Sequence, residues 1–288
     1  MIREFAPAKI NLFLHITGRR ADGYHELESL FGFADIGDTL TFAAADDISL
    51  MVTGPFAEGL GEGGDNLVVR AAKLLQAVSG VSAGASIVLE KNLPLSSGIG
   101  GGSADAAATL RGLMRLWGVD LSNERLHALA LSLGADVPSC LDGQGVFVSG
   151  VGEHLVPSGL GYCWPILLVN PGVGVSTPEV FQKFHGMGLV FSAKRHPWPP
   201  HWGSEGAARE GVVSMGNDLV AAAVECAPEV AVVLDSLSRL EGAWFSQMSG
   251  SGATCFALME NQNDLAVAED YMRQLYPSAW VASGSVEV

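Results

Sequence analysis

The loop Pro94-Leu95-Ser96-Ser97-Gly98-Ile99-Gly100-Gly101-Gly102-Ser103-Ala104 has the residue types needed to hold a phosphate. The apolar, β-branched run from Ala85 to Glu90 before it predicts a strand. After it, Ala106, Leu110, Leu113, Met114 and Trp117 recur at helical spacing, and Gly118 stands where that helix would stop. Its glycines therefore fall between a strand and a helix N-terminus. Glycine lets backbone approach an anion closely, exposed N–H groups donate to it, and the helix dipole favours negative charge there. Hydroxyls at Ser96, Ser97 and Ser103 add donors. The alternative is a flexible Gly/Ser connector, but the strand-to-helix placement favours phosphate binding. No lysine follows the glycines, which excludes a Walker A loop. A dinucleotide fingerprint would end in glycine where Ser103 stands. Asp120, at roughly the spacing of a ribose-binding acid, precedes Leu121-Ser122-Asn123-Glu124, which reads as a helix start.

Other reactive side chains lie far away in sequence. Residues 10–17 alternate, with Ile10, Leu12, Leu14 and Ile16 on one face, and predict a half-buried strand. Lys9 opens this strand, and Asn11 points away from the predicted core. The segment Gly18 to Glu26 is turn-rich and holds Arg19, Arg20, Tyr24 and His25; from spacing alone it reads as an ordinary polar hairpin loop. Asp136 follows a predicted helix that is capped by Ser122 and ended by Gly134. On local grounds a turn-closing role and a catalytic one are equally open to it. The cysteines Cys140, Cys163, Cys226 and Cys255 are widely spaced with no C-x-x-C pair, which predicts buried, reduced thiols.

Composition narrows the partners. With 31 acidic and 16 basic residues the net charge is −15, a poor match to nucleic acid or an anionic membrane surface. A bound phosphate would need local cations and backbone dipoles. No apolar run is long enough to span a bilayer. The apolar stretch near the N-terminus is broken by Asn11 and His15 and followed by Arg19-Arg20, unlike a signal peptide, so a cytoplasmic protein is expected.

At 288 residues the chain can hold two domains, and the expected boundary lies near Pro157, giving 1–156 and 157–288. Asp65-Asn66 caps a predicted helix with a buried face of Leu67, Ala71, Leu74, Leu75 and Val78. Short strands are expected at Thr39–Ala43 and Val146–Val148. In the second half, strands at 164–169, 243–248, 254–259 and 279–283, with helices between, follow the order βαββαβ of a ferredoxin-like sandwich. A second glycine loop, Ser249-Gly-Ser-Gly252, joins two of these strands. Residues 185–216, rich in His, Trp, Pro and Gly, read as an irregular surface insertion.

Three blocks, Pro7-Ala-Lys-Ile-Asn-Leu12, Pro94 to Ala104 and Ser249-Gly-Ser-Gly-Ala-Thr254, together resemble the GHMP small-molecule kinases. Gly18-Arg-Arg-Ala-Asp-Gly-Tyr-His-Glu-Leu27 and Leu133-Gly-Ala-Asp-Val-Pro138 resemble the branch acting on a cytidine-diphosphate-linked sugar alcohol in the non-mevalonate route to isoprenoids. The resemblance implies an α/β (α+β) two-domain fold: a ribosomal-protein-like, ATP-binding N-terminal domain and a ferredoxin-like C-terminal domain, with the active site in the cleft. It also implies ATP with Mg²⁺, Asp136 as general base, and Lys9 paired with it. Tyr24 and Phe181 would flank the cytosine ring, His25 would read its edge, and Asn11 and Thr177 would lie near the substrate. Asn66 and Lys91 would lie on the adenosine side. The middle loop departs from the family at Ser96-Ser97, where relatives often have glycines, and at Ala104-Asp105, where Ser-Asn is common. Monomer and homodimer remain open. The competing readings are a kinase for another small alcohol, which leaves Tyr24, His25 and Phe181 without a purpose, and a non-catalytic nucleotide sensor or a dehydrogenase. Lys9 with Asp136 argues against a sensor, and the second glycine loop argues against a dehydrogenase.

Overall fold

The computed structural model describes residues 1–60, 65–195 and 197–288, and the chain divides into two compact units. One comprises Met1–Ala8, Gly37–Leu95 and Gly100–Gly143; the other comprises Lys9–Ile36, Ser96–Ile99 and Gln144–Val288. This division is interleaved along the chain.

In the first unit, the end of β2 (His25–Ala45) pairs antiparallel with β4 (Gly84–Glu90), from Thr39↔Glu90 to Ala45↔Gly84. Strand β3 (Ile48–Thr53) runs parallel to β4. Ala85, Ile87 and Leu89 are buried on one face of β4, which is the alternation of a half-buried strand. Helices α1 (Leu67–Ser79), α2 (Gly101–Trp117), α3 (Asn123–Leu133) and α4 (Val137–Asp142) complete the unit. Asn66 caps α1 by accepting the Val68 N–H, Ser122 caps α3, and Gly118 ends α2 in the left-handed region at φ 64°, all as the sequence predicts. The buried face of α1 is Val68, Val69, Ala71, Ala72 and Leu75, so the expected stripe is rotated, and Val78 is exposed.

In the second unit, β7 (Cys163–Asn170), β8 (Ala243–Met248), β9 (Cys255–Met259) and β10 (Trp280–Glu287) form an antiparallel sheet in the order β10-β7-β9-β8. This is the ferredoxin-like arrangement expected from the order of elements. Beyond β10, the start of β2 pairs through Val286↔Ala34, then with β5 (Val146–Gly150), and β5 with β6 (His154–Pro157). Helices α5 (Thr177–Gly186), α6 (Glu205–Met215), α7 (Val220–Cys226), α8 (Glu229–Ser238) and α9 (Gln262–Leu275) follow. Leu167, Val169, Phe184, Val233, Met248 and Met272 belong to their shared core.

Several expectations are corrected. β2 is 21 residues long, not a short strand at 39–43. Its glycines look like strand breakers but mark close approaches: a Cβ on Gly32 would lie 2.6 Å from Val286 Cγ2, and one on Gly37 would lie 2.3 Å from the Ala6 carbonyl oxygen. The strand predicted at 10–17 is β1 (Ile2–Arg19), and it is buried on both faces, Asn11, Phe13 and His15 included. The reason lies in 185–216, which is more than an irregular surface insertion. Trp198 meets Phe13 edge-on at 6.3 Å and Phe147 at 5.7 Å, the Ser192 N–H donates to the Ile16 carbonyl, and residues 205–215 form α6. His196, part of that stretch, lies outside the described residues. Cys140 and Cys255 are buried, and burial pushes the Cys255 thiol up to about 12, but Cys163 is exposed at the start of β7. Among the described residues no helix is long and apolar enough to cross a membrane.

Candidate active site

Lys9 is buried in the second unit, and its ammonium is oriented rather than loose. Its Nζ donates to Asn11 Oδ1 at 2.7 Å and lies 4.3 Å above the Phe31 ring. Asn11 is held in turn, because its Nδ2 donates to Ser29 Oγ at 3.0 Å and Ser29 Oγ donates to the Phe13 carbonyl. With both amide ends committed, Asn11 presents a fixed oxygen to the lysine. The Lys9 backbone N–H donates to the Ile99 carbonyl at 2.9 Å, which ties the strand to the first glycine loop.

The second glycine loop clips the same place. Ser249 Oγ accepts the Asn11 N–H at 3.0 Å and donates to the Gly98 carbonyl at 3.0 Å. The two loops touch through backbone: a Cβ on Gly98 would lie 2.4 Å from the Ser249 carbonyl oxygen, and one on Gly250 would lie 2.7 Å from the Gly98 carbonyl oxygen. Both residues have positive φ, 76° and 57°, so glycine is required twice over. The Thr254 N–H donates to the Ser97 carbonyl and the Val175 N–H to that of Ser96. Thr177 Oγ1 lies 2.8 Å from Ser251 Oγ, which brings the start of α5 to the second loop. Ser249 and Ser251 belong to a loop the sequence singles out, yet no site role follows for them from its glycines alone. Ser29 carries no signal in sequence.

Ser96 is the one non-glycine residue with positive φ among those described, at 49°. Left-handed backbone costs a residue with a Cβ about 1–3 kcal/mol, and the departure from glycine noted at this position falls here. Glycine recovers that strain but loses about 0.4–1 kcal/mol through its freer unfolded chain. Ser96→Gly should therefore raise the melting temperature by about 1–5 °C. A melt showing no rise would mean that the serine's contacts outweigh the strain.

In the first unit, α2 begins at Gly101, with Gly100 at its N-cap at φ 65°. Gly100 offers no side-chain cap, and the first turn carries no acidic residue, so its N–H groups and dipole favour an external anion. Gly102 is exposed, Ser103 half-buried, Ala104 buried, and Pro94 and Leu95 precede the turn. Lys91 sits beneath this start: a Cβ on Gly101 would lie 3.1 Å from its Nζ. The Lys91 ammonium is buried between Asp38 Oδ2 at 2.5 Å and Asp105 Oδ2 at 2.7 Å. Asp38 Oδ1 also accepts the N–H groups of Asn92 and Leu93. Burial pushes the Asp105 carboxyl up to about 7, against the pull of Lys91 and with the repulsion of Asp38. Burial works against the Lys91 ammonium, but the two carboxylates hold it above its ordinary value. Sequence reasoning misses Asp38 altogether and meets Asp105 only as a departure from the family's loop.

Asp136 stands at the N-cap of α4, a helix the sequence does not suggest, but its side chain makes no capping bond; the Ser139 hydroxyl donates to its backbone carbonyl instead. Asn66 spends Oδ1 on capping α1. Towards the other end of β1, His25 stacks on Phe181 with ring centroids 4.6 Å apart and 24° between planes. Tyr24 is 67% exposed at the end of a tight turn in which Asp22 Oδ1 accepts its N–H.

In the second unit, two glycine loops locked through backbone beside a buried, oriented lysine suit phosphoryl transfer; in the first, the uncapped helix start suits an anion. The family described as GHMP kinases N terminal domain matches residues 66–144, and GHMP kinases C terminal matches 205–278. The chain belongs to the GHMP kinases. These are ATP-dependent phosphotransferases, and this kinase is similar to named relatives along its whole length. The 4-diphosphocytidyl-2-C-methyl-D-erythritol kinase of Ruegeria pomeroyi is 47% identical over 99% of both chains. That of Paramagnetospirillum magneticum is 46% identical over 96% of this kinase and 95% of the relative. A crystal structure of 4-(cytidine 5'-diphospho)-2C-methyl-D-erythritol kinase, 35% identical, superposes with a TM-score of 0.82 over the whole of both chains. Homoserine kinase from Cytophaga hutchinsonii, at 19% identity and a TM-score of 0.75 over 99% of this kinase and 94% of that chain, shares the fold.

Proposed function

We propose that this kinase transfers the γ-phosphoryl group of ATP to the 2-hydroxyl of 4-diphosphocytidyl-2-C-methyl-D-erythritol, a step in non-mevalonate isoprenoid precursor synthesis. The observation that carries this reading is the 46–47% identity, over 96–99% of the chain, to relatives bearing that kinase's name. Asp136 takes the proton of the attacking hydroxyl, the oxygen forms a bond to the γ-phosphorus, and the bond to the β,γ-bridging oxygen breaks to release ADP. Lys9, oriented by Asn11, stabilises the charge developing on the reacting oxygens. The loop from Pro94 to Ala104 receives the phosphates through backbone N–H groups, with Asn66 and Lys91 on the adenosine side. Residues 1–156 act as the ATP-binding domain and 157–288 as the ferredoxin-like domain. Mg²⁺ enters as part of the MgATP substrate; among the described residues no three His, Cys, Asp or Glu side chains converge to hold a metal ion.

The cytidyl end of the acceptor is held by Tyr24, His25 and Phe181, with Asn11 and Thr177 nearer the alcohol. An exposed tyrosine beside a stacked His–Phe pair is apolar surface suited to a flat pyrimidine. Stacking a base on an aromatic side chain is worth about 1–3 kcal/mol. Tyr24→Ala should therefore raise the acceptor's KM by roughly 5- to 150-fold while the KM for ATP hardly moves. Equal weakening of both substrates, or of neither, would remove the cytidine clamp and leave a kinase for another alcohol.

A further inference from the structure

Besides Phe181, the His25 ring meets a second imidazole. His185, on the last turn of α5, brings its Nε2 to 3.3 Å from His25 Nε2, with ring centroids 5.0 Å apart. Phe191 meets His185 edge-on at 6.2 Å, so the second imidazole is itself seated by an aromatic neighbour. Two nitrogens at this distance are joined by one proton: one Nε2 donates and the other accepts. His25 Nε2 is then committed, and Nδ1 is the nitrogen left for a ligand.

We propose that His185 is a positioning residue for base recognition: it fixes the tautomer and orientation of His25, and so decides whether Nδ1 meets the pyrimidine edge as donor or as acceptor. Cytosine and uracil differ in this respect, because the exocyclic amino group of one is replaced by a carbonyl oxygen in the other. The shared proton couples the two rings: His25 Nδ1 is a donor when His185 Nε2 donates and an acceptor when His185 Nε2 accepts, so the partner that holds one arrangement distinguishes the bases. The inference rests on the reading that His25 touches the base. The surroundings favour the neutral form of His25. Burial lowers the His25 pKa, and the neighbouring His185 and Arg19 lower it further. A neutral imidazole retains one donor and one acceptor, which the selection requires.

His185→Phe keeps a ring against Phe191 and removes the nitrogen. A hydrogen bond of this kind contributes about 0.5–1.5 kcal/mol net, so the cytidyl acceptor's KM should rise roughly 2- to 10-fold, with kcat and the KM for ATP unchanged. His185→Gln, which can donate or accept, should recover most of the loss. Nitrogen NMR of the wild-type imidazoles should show His25 in a single tautomer, and in His185→Phe its two nitrogens should move towards averaged values. An averaged His25 in the wild type overturns the proposal without any variant having to fold. His25→Ala separates the two layers. If it raises the acceptor KM while His185→Phe does not, only the His185 inference falls. If it leaves that KM alone, the base reading falls and takes the inference with it.

Discussion

Asp136→Asn should lower turnover by about two to four powers of ten, the scale of a lost general base, with the fold and ATP affinity intact. Asparagine has the same shape but cannot accept the hydroxyl proton. The competing role, capping α4, is one the side chain does not play: no capping bond runs from it, and the bond from Ser139 Oγ ends on the backbone carbonyl, which asparagine retains. Steady-state kinetics read beside calorimetric ATP binding separates the two roles. Turnover within about threefold of wild type, far below the general-base scale, would make Asp136 a structural residue. Lys9→Ala should lose activity on a similar scale, and the double variant should lose much less than the sum, because the two act on one proton transfer.

The second large effect is on stability. Lys91→Met keeps an apolar stem of similar length but takes away the charge that compensates Asp38 and Asp105 in a buried site, so one carboxyl must bind a proton and the other stays without its cation. Removing one partner of a buried ion pair costs about 3–5 kcal/mol. Against a total of about 5–15 kcal/mol for an ordinary domain, this is severe. Denaturant unfolding of Lys91→Met should show that loss, and Lys91→Met with Asp105→Asn should recover part of it. Should Lys91→Met stay as stable as wild type but lose ATP affinity, the ammonium serves the nucleotide directly and the triad is incidental.

The same triad predicts a pH dependence. Burial raises the Asp105 carboxyl from an ordinary 3.8 to about 7 in the folded protein, above its unfolded value. Its contribution is therefore fully present below about pH 4 and is lost as pH rises through about 7. Asp105 Oδ1 is buried without a hydrogen-bond partner among the described residues, which adds to the cost of ionising it. Asp105→Asn should consequently stabilise the protein more at pH 8 than at pH 5.

Much of this was legible in the sequence, for physical reasons. Strand, glycine loop and helix at 84–117 carry their own punctuation, and the caps Asn66, Ser122 and Gly118 lie next to the runs they terminate. The βαββαβ order gave the second sheet because each strand there is short and flanked by a helix or turn. What was illegible depends on contacts distant in sequence. Two buried faces on β1 require Trp198, nearly two hundred residues away, and the length of β2 depends on glycines whose purpose appears only against Val286 and Ala6. Lys91 is a basic residue before a phosphate loop until Asp38, 53 positions earlier, is found on its ammonium. The Ser249 clip spans 238 positions to Asn11, and no local pattern announces it.

The chemistry of the product decides which alcohol this kinase phosphorylates. Purified protein incubated with MgATP and the cytidyl acceptor, followed by phosphorus NMR, should form one new phosphomonoester for each ADP released, with the acceptor's diphosphate intact. Homoserine and mevalonate, offered in its place at equal concentration, should give no comparable product. ADP without a phosphomonoester, or equal phosphorylation of homoserine or mevalonate, would contradict the assignment.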